Sequence, residues 1–281
     1  MSSLSSHVCL NGEIMPAREA RVSPLGDGFQ FGRGVFETLR VARGRPAFFE
    51  QHVARLTRSA EALRLPWAVE PAGLLTRCER LLAANQVSEG GLKVVVYAEV
   101  DEPGELILTR PLPYTAADYA RGFRLRIQRD ARTLGAGPAH KATSYLHSWL
   151  AREAARQAGF DEALFVDDSG RVLEGASTNL FAVVDGALLT PRASDGILPG
   201  IVRGEIIRRF GAREAILTRD VLASSDEVFV TNALLGIMPV SVIDGTEYDL
   251  TGNPLTREVG TAFAVWTGAS ARGDDPEVLR P

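Results

Sequence analysis

A chain of 281 residues, 45% hydrophobic and 23% charged, is long enough for two domains, each with its own core. With a net charge of -4 and no basic block, aromatic-interleaved arginine stripe or metal-ligand spacing, the sequence excludes nucleic acid as a partner and offers no metal site. No apolar run approaches the roughly 20 residues of a membrane span, the first residues are not expected to act as a secretory leader, and Cys9 and Cys78 set no disulfide framework, so the expected setting is a reducing cytoplasm.

The first elements in chain order are a strand, an Asn11-Gly12 turn, a second strand, and a glycine-rich stretch leading into a strand at Val35–Val41, closed by a turn at Arg43-Gly44. Helices near 50–64 and 71–86 follow from apolar spacing at Val53, Leu56 and Ala60, and at Leu74, Leu75, Cys78 and Leu81. Strands near 91–97 and 104–109 complete a mixed unit over residues 1–110, and the proline-rich stretch from Pro111 opens a linker over 111–122. Beyond it, over 123–281, short strands dominate: Phe123–Ile127, Glu162–Asp167, Val172–Glu174, Leu180–Val184 before an Asp185-Gly186 turn, and Val228–Thr231. A helix near 200–210 ends at Gly211, and the segment from about Ala269 reads as a polar, mobile tail. The fold class is α+β, with a small α/β N-terminal domain and a larger, barrel-like C-terminal domain.

Of 31 basic residues only Lys93 and Lys141 are lysine. Arginine cannot replace an amine that must lose its proton and attack a carbonyl, so a lysine kept in such a composition invites a chemical role. Lys93 reads as the charged face of a strand. Lys141 lies directly before an amphipathic helix with Leu146, Trp149, Leu150 and Ala154 on one stripe, at a loop–helix edge where reactive groups are held.

If Lys141 forms an imine with an aldehyde cofactor, the sequence must also supply a phosphate cradle, an acid for a ring nitrogen and groups that orient substrate. Leu198-Pro199-Gly200-Ile201-Val202 opens a helix whose first amides suit a phosphate. Glu174 ends a strand, and Arg55 stands one turn beyond His52 on a helix face. Each is ordinary alone: a loop–helix junction, a strand-end glutamate, a solvated arginine.

Together and in this order, they resemble the fold-type IV pyridoxal-phosphate enzymes, the class IV aminotransferases that include D-amino-acid and branched-chain aminotransferases and 4-amino-4-deoxychorismate lyase. The resemblance runs from about residue 8 to 265 and rests on Gly28–Thr38, the His52–Arg55 helix, Lys141 with Tyr145, Glu174–Phe181, Leu198–Ile201 and Thr231–Val240. It implies pyridoxal 5'-phosphate on a Schiff-base Lys141 in the larger domain, Glu174 at the pyridine nitrogen, and Leu198 on the ring face. It further implies Arg55 and the amides of Ile201, Val202, Ala233 and Leu234 at the phosphate, with Tyr145 at the phenolic oxygen. Phe31, Arg33, Phe36, Thr38 and Arg40 would line the substrate side, with amino and keto acids as substrates and a homodimer as the assembly. The chain departs from the pattern at Val202 and Ala233, where hydroxyl residues are common, at Ser144, where an asparagine is common, and at Arg33.

Three readings of the reaction follow. A transaminase needs the least specialised pocket, and the segment after Lys141 lacks an extra glycine-rich residue, which favours a D-amino acid donor over a branched-chain L-amino acid. Thr38 and the Asn232–Val240 stretch look lyase-like, whereas Val96–Val100 lacks the arginine-glycine pair often found there in lyases. A catalytically silent binding protein requires Lys141 to be unreactive.

Overall fold

The computed structural model describes residues 5–129 and 139–269, so the tail expected from Ala269 lies almost wholly outside the described residues. The chain divides into two compact units.

The first takes the residues up to Pro113, together with His140–Tyr145 and a short segment from Val265. Its elements are β1 (His7–Leu10), β2 (Glu13–Pro16), α1 (Asp27–Phe31), β3 (Gly34–Ala42), β4 (Arg45–Pro46), α2 (Phe49–Ala62), α3 (Pro71–Ala84), β5 (Gly90–Ala98) and β6 (Pro103–Arg110). The sheet runs β2-β1-β6-β5-β3-β4, with its neighbours antiparallel. The β1–β2 turn takes Asn11 and Gly12 at φ of 50° and 90°, the left-handed pair that two-residue hairpins require. Strand alternation then sorts β3 by face. Val35, Leu39 and Val41 enter a core with Val53, Leu56, Leu74 and Leu81 of the helices, while Phe36, Thr38 and Arg40 occupy the other face.

The second unit begins at Tyr114 and holds Leu146–Ala264. It contains α4 (Ala116–Arg121), β7 (Phe123–Arg129), α5 (Leu146–Gln157), β8 (Glu162–Val166), β9 (Arg171–Gly175), β10 (Asn179–Val184), β11 (Ala187–Pro191), α6 (Ile201–Phe210), β12 (Arg213–Ala215), β13 (Leu217–Thr218), α7 (Arg219–Ala223), β14 (Glu227–Asn232), β15 (Gly236–Ile243), β16 (Thr246–Glu247) and α8 (Pro254–Thr267). Its sheet is ordered β12-β11-β10-β14-β15-β7-β8-β9-β13. Consecutive strands β9 and β10 stand far apart in that order, yet only Ala176–Thr178 connect them. So short a link forces the sheet to curl until the two strands meet, and Gly175 N–H donates to Thr178 O (2.8 Å) across the turn. That curl gives the barrel-like unit, filled by Leu125, Leu164, Leu180, Val228, Val230 and Met238.

One expectation is corrected. The Lys141 segment packs in the first unit rather than the larger second one, because Thr143 N donates to Gly34 O (2.8 Å) and Phe36 N to Lys141 O (2.9 Å), which makes it an extra edge on β3. The stripe on α5 faces outward: Leu146, Trp149 and Leu150 are 66%, 48% and 52% exposed. Small residues, Ser148, Ala151 and Ala155, form the buried side instead and let the helix sit close on β8.

Candidate active site

Two clusters of the expected site residues form, one in each unit.

In the first, Lys141 Nζ lies 4.6 Å from the centre of the Phe36 ring, and Tyr145 meets the same ring edge-on at 5.8 Å. Thr38 and Arg40 share the Phe36 face of β3; Arg40 is buried, with Nη2 3.5 Å from Glu89. Phe31 is 72% exposed at the end of α1. Arg33 is held elsewhere in this unit: its guanidinium donates to the Asp27 carboxylate (3.3 Å) and to the carbonyls of Leu63 (3.4 Å) and Arg64 (2.8 Å), so it ties α1 to the end of α2.

The sequence reading missed two residues of this cluster. Lys93, opposite Thr38 in the β3–β5 pairing, holds its Nζ 4.2 Å from the Phe36 centroid, so both lysines of the chain serve one aromatic ring. Burial, with the Arg110 charge adding to it, pushes the Lys93 ammonium down to about 8. Period-2 alternation from Thr38 is the signal that would have placed it, once the β3–β5 register was known.

The other missed residue is Glu37, on the core face of β3. It accepts from Arg55 Nε (2.6 Å) and Nη2 (2.7 Å) and from His52 Nδ1 (2.7 Å), all three residues being buried. Burial alone would raise the Glu37 carboxyl; the bonds from Arg55 and His52 outweigh it and bring the group down to about 2.

In the second unit, Glu174 Oε2 accepts from Leu198 N (3.0 Å) and Asn179 Nδ2 (3.3 Å), and the same amide donates to Leu198 O (2.9 Å). The strand-end glutamate is therefore a buried, hydrogen-bonded carboxylate. Gly200 follows, at the N-cap of α6, and a Cβ there would stand 2.0 Å from Asn179 Oδ1. Among the described residues no side chain caps α6, and the amides of Ile201 and Val202 open a helix end of positive character. The third segment is ordered by Asn232: its Oδ1 accepts from Leu234 N and Leu235 N (2.9 Å each) and its Nδ2 donates to Ser177 O (3.2 Å). Leu234's amide, expected at a phosphate, is thus given to Asn232, a competition invisible from residue types. Ser177 donates in turn to buried Glu162, whose carboxyl burial pushes up.

Taken unit by unit, the groups suit a phosphorylated pyridine aldehyde: the first offers an amine beside an aromatic ring, the second a buried carboxylate and a glycine-opened helix N-terminus. The class IV amino-transferase family model matches residues 34–243, three quarters of the chain. The chain belongs to the class IV aminotransferase family. Members use pyridoxal phosphate. The chain is 31% identical over 255 residues to a putative branched-chain-amino-acid aminotransferase of Methanocaldococcus jannaschii, covering 85% of this chain and 88% of that one. It is 29% identical to the D-alanine aminotransferase of Bacillus licheniformis (91% and 95% covered) and 27% identical to the aminodeoxychorismate lyase of Bacillus subtilis (86% and 88%). Among solved structures, the branched-chain aminotransferase from Thermoproteus uzoniensis with norvaline superposes with a TM-score of 0.85 at 28% identity, covering 96% of each chain. This class IV chain therefore has the fold-type IV architecture, and its relatives divide over substrate and reaction. Among the described residues no helix is long and apolar enough to cross a membrane, and no cluster of His, Cys, Asp or Glu is arranged to hold a metal.

Proposed function

We propose that the protein is an aminotransferase that moves an amino group between an amino acid, with a D-amino acid as the favoured donor, and a 2-keto acid. The observation carrying this reading is the Lys141 amine, 4.6 Å from the Phe36 ring centre, on a segment whose backbone is bonded to β3 and which enters α5 directly at Leu146. Pyridoxal phosphate supplies the aldehyde that takes the donor's nitrogen and an electron-poor ring that withdraws charge from its Cα. Lys141 would hold it and would carry the proton at the substrate's Cα. Glu174 would keep the pyridine nitrogen protonated, Leu198 would pack on the ring and Tyr145 would serve the phenolic oxygen. Arg55 and the amides of Ile201, Val202 and Ala233 would take the phosphate. Phe31, Phe36, Thr38 and Arg40 bound the substrate. The donor leaves as a keto acid and the nitrogen passes to the acceptor, so the exchange needs no outside oxidant.

The exposed α5 stripe of Leu146, Trp149 and Leu150 supports a homodimer, and the free, buried Cys9 and Cys78 support a cytoplasmic setting. A lyase reading has one specific observation in its favour, the pairing of Thr38 with Lys93 on the Phe36 face, a hydroxyl and an ammonium suited to an anionic substrate. A donor screen followed by cofactor absorbance separates the readings. D-alanine or D-glutamate alone converts a transaminase to its amine form. Conversion by L-leucine with none by D-amino acids overturns the handedness, and release of pyruvate and p-aminobenzoate from aminodeoxychorismate without an acceptor overturns the transaminase.

A further inference from the structure

Glu37 lies on the opposite face of β3 from Phe36 and touches none of the groups assigned to substrate. It is 1% exposed, as is His52, and Arg55 is 6% exposed. A buried carboxylate placed this way is costly unless its partners are exact in geometry, and here they are: two guanidinium nitrogens in the parallel fork that fixes the plane of an arginine, plus one imidazole N–H. Because the ionised carboxylate only accepts, His52 Nδ1 carries the proton. Burial, ahead of the opposing bond from Glu37, holds the imidazole below its ordinary value, with the Arg55 and Lys141 charges adding to the fall. His52 Nε2 is buried with no hydrogen-bond partner among the described residues, as befits a neutral ring. The trio thus holds one anion, one cation and one neutral donor. It offers a ligand a guanidinium of fixed orientation rather than a surplus of positive charge.

Resting on the assignment of Arg55 to the cofactor phosphate, we propose that Glu37 is a positioning residue: it sets the plane of Arg55 through the two-pronged pair, with neutral His52 locking the carboxylate from the other side. Strand β3 then presents the substrate with Phe36 and Thr38 and, from the residue between them, orients the phosphate clamp on helix α2. One strand couples the register of the two.

The test compares the affinity of the apo-protein for pyridoxal phosphate and for pyridoxal, which lacks only the phosphate, read by absorbance of the bound cofactor. In Glu37→Gln the preference for the phosphorylated form falls about tenfold, the scale of one charge-assisted hydrogen bond, while pyridoxal affinity stays within about twofold. Adding Glu37→Gln to Arg55→Gln lowers the preference no further, because the carboxylate acts through the arginine. Should Glu37→Gln fail to fold, Arg55→Lys keeps an ion pair but not the fork, and the same loss of preference is expected. Equal weakening of both ligands shows a merely structural role, and an unchanged or increased preference shows a carboxylate that only screens Arg55; either overturns the proposal. If the parent protein itself does not prefer pyridoxal phosphate, the assignment of Arg55 to the phosphate fails first.

Discussion

The two clusters hold polar groups out of water by different means. Around Lys141 the first unit packs ionisable side chains together: Glu37 with Arg55 and neutral His52 on one face of β3, Lys93 and Lys141 about the Phe36 ring on the other. Around Glu174 the second unit relies on backbone shape, with amides of Leu198, Leu234 and Leu235 directed by Glu174 and Asn232. A side-chain cluster fails when one charge is removed, whereas a main-chain cluster fails when the backbone cannot approach. Substitutions therefore break the two in distinguishable ways.

The largest effect is expected at the reactive amine. Lys141→Ala lowers kcat on the order of 10^4-fold, the upper end for a positioned proton carrier, and borohydride no longer fixes the cofactor to the chain, as intact mass shows. Melting temperature changes little, because Lys141 is only half-buried. In the other cluster Glu174→Ala removes the acceptor of Leu198 N and Asn179 Nδ2. Activity should fall about 100-fold, the cost of losing one matched acid-base group, with the borohydride-fixed adduct still forming. An unimpaired Glu174→Ala enzyme would break the comparison at its second half.

A smaller loss belongs to backbone approach. Gly200→Ala places a methyl where Asn179 Oδ1 stands, 2.0 Å away, so the start of α6 or the Asn179 amide must shift. About 1–3 kcal/mol of stability is lost, as for other overpacked sites, and melting temperature falls together with pyridoxal phosphate affinity. The adjacent Ile201→Val, which leaves the backbone alone, serves as the control and stays within about 1.5 kcal/mol.

The same difference governs what could be read in the sequence. Lys141 was legible because lysine is rare here, and the β1–β2 and β10–β11 hairpins because Asn11-Gly12 and Asp185-Gly186 adopt left-handed conformations few other pairs take. Helix α8 was not foreseen. Its start is capped by Glu227, whose carboxylate accepts from Leu255 N (3.1 Å), Thr256 N (2.8 Å) and Thr256 Oγ1 (2.6 Å), a cap contributed from β14 far back in the chain. For α5 the stripe was legible and its placement was not: helical periodicity identifies an apolar face, but whether that face is buried depends on its neighbours, and here alanines made the closer fit. Glu37 was visible in the quoted motif without a role, since its partners lie on α2 and depend on the side of β3 it takes. Leu234 shows the limit most sharply, because whether an amide is available depends on the Asn232 rotamer and not on residue type.

The smallest effect sharpens the comparison inside the first cluster, where two lysines meet one ring but only one is assigned to chemistry. Lys93 has its pKa lowered by burial from 10.5 to about 8 in the folded protein. Between those values the unfolded chain binds the proton and the folded chain does not, so stability rises with pH across that window. Below about 8 both states are protonated and the cost of burying the charge is fully present. Lys93→Met removes this cost: the variant is more stable than the parent at pH 7 by on the order of 1 kcal/mol, less than the full shift implies because a half-buried ammonium still meets water. The advantage disappears as pH climbs past the ordinary lysine value. Urea melts from pH 7 to 11 measure it. A constant gap between variant and parent would mean that Lys93 stays charged against Phe36 throughout, which would make the ring a cation clamp for both lysines rather than a partner that favours the neutral amine.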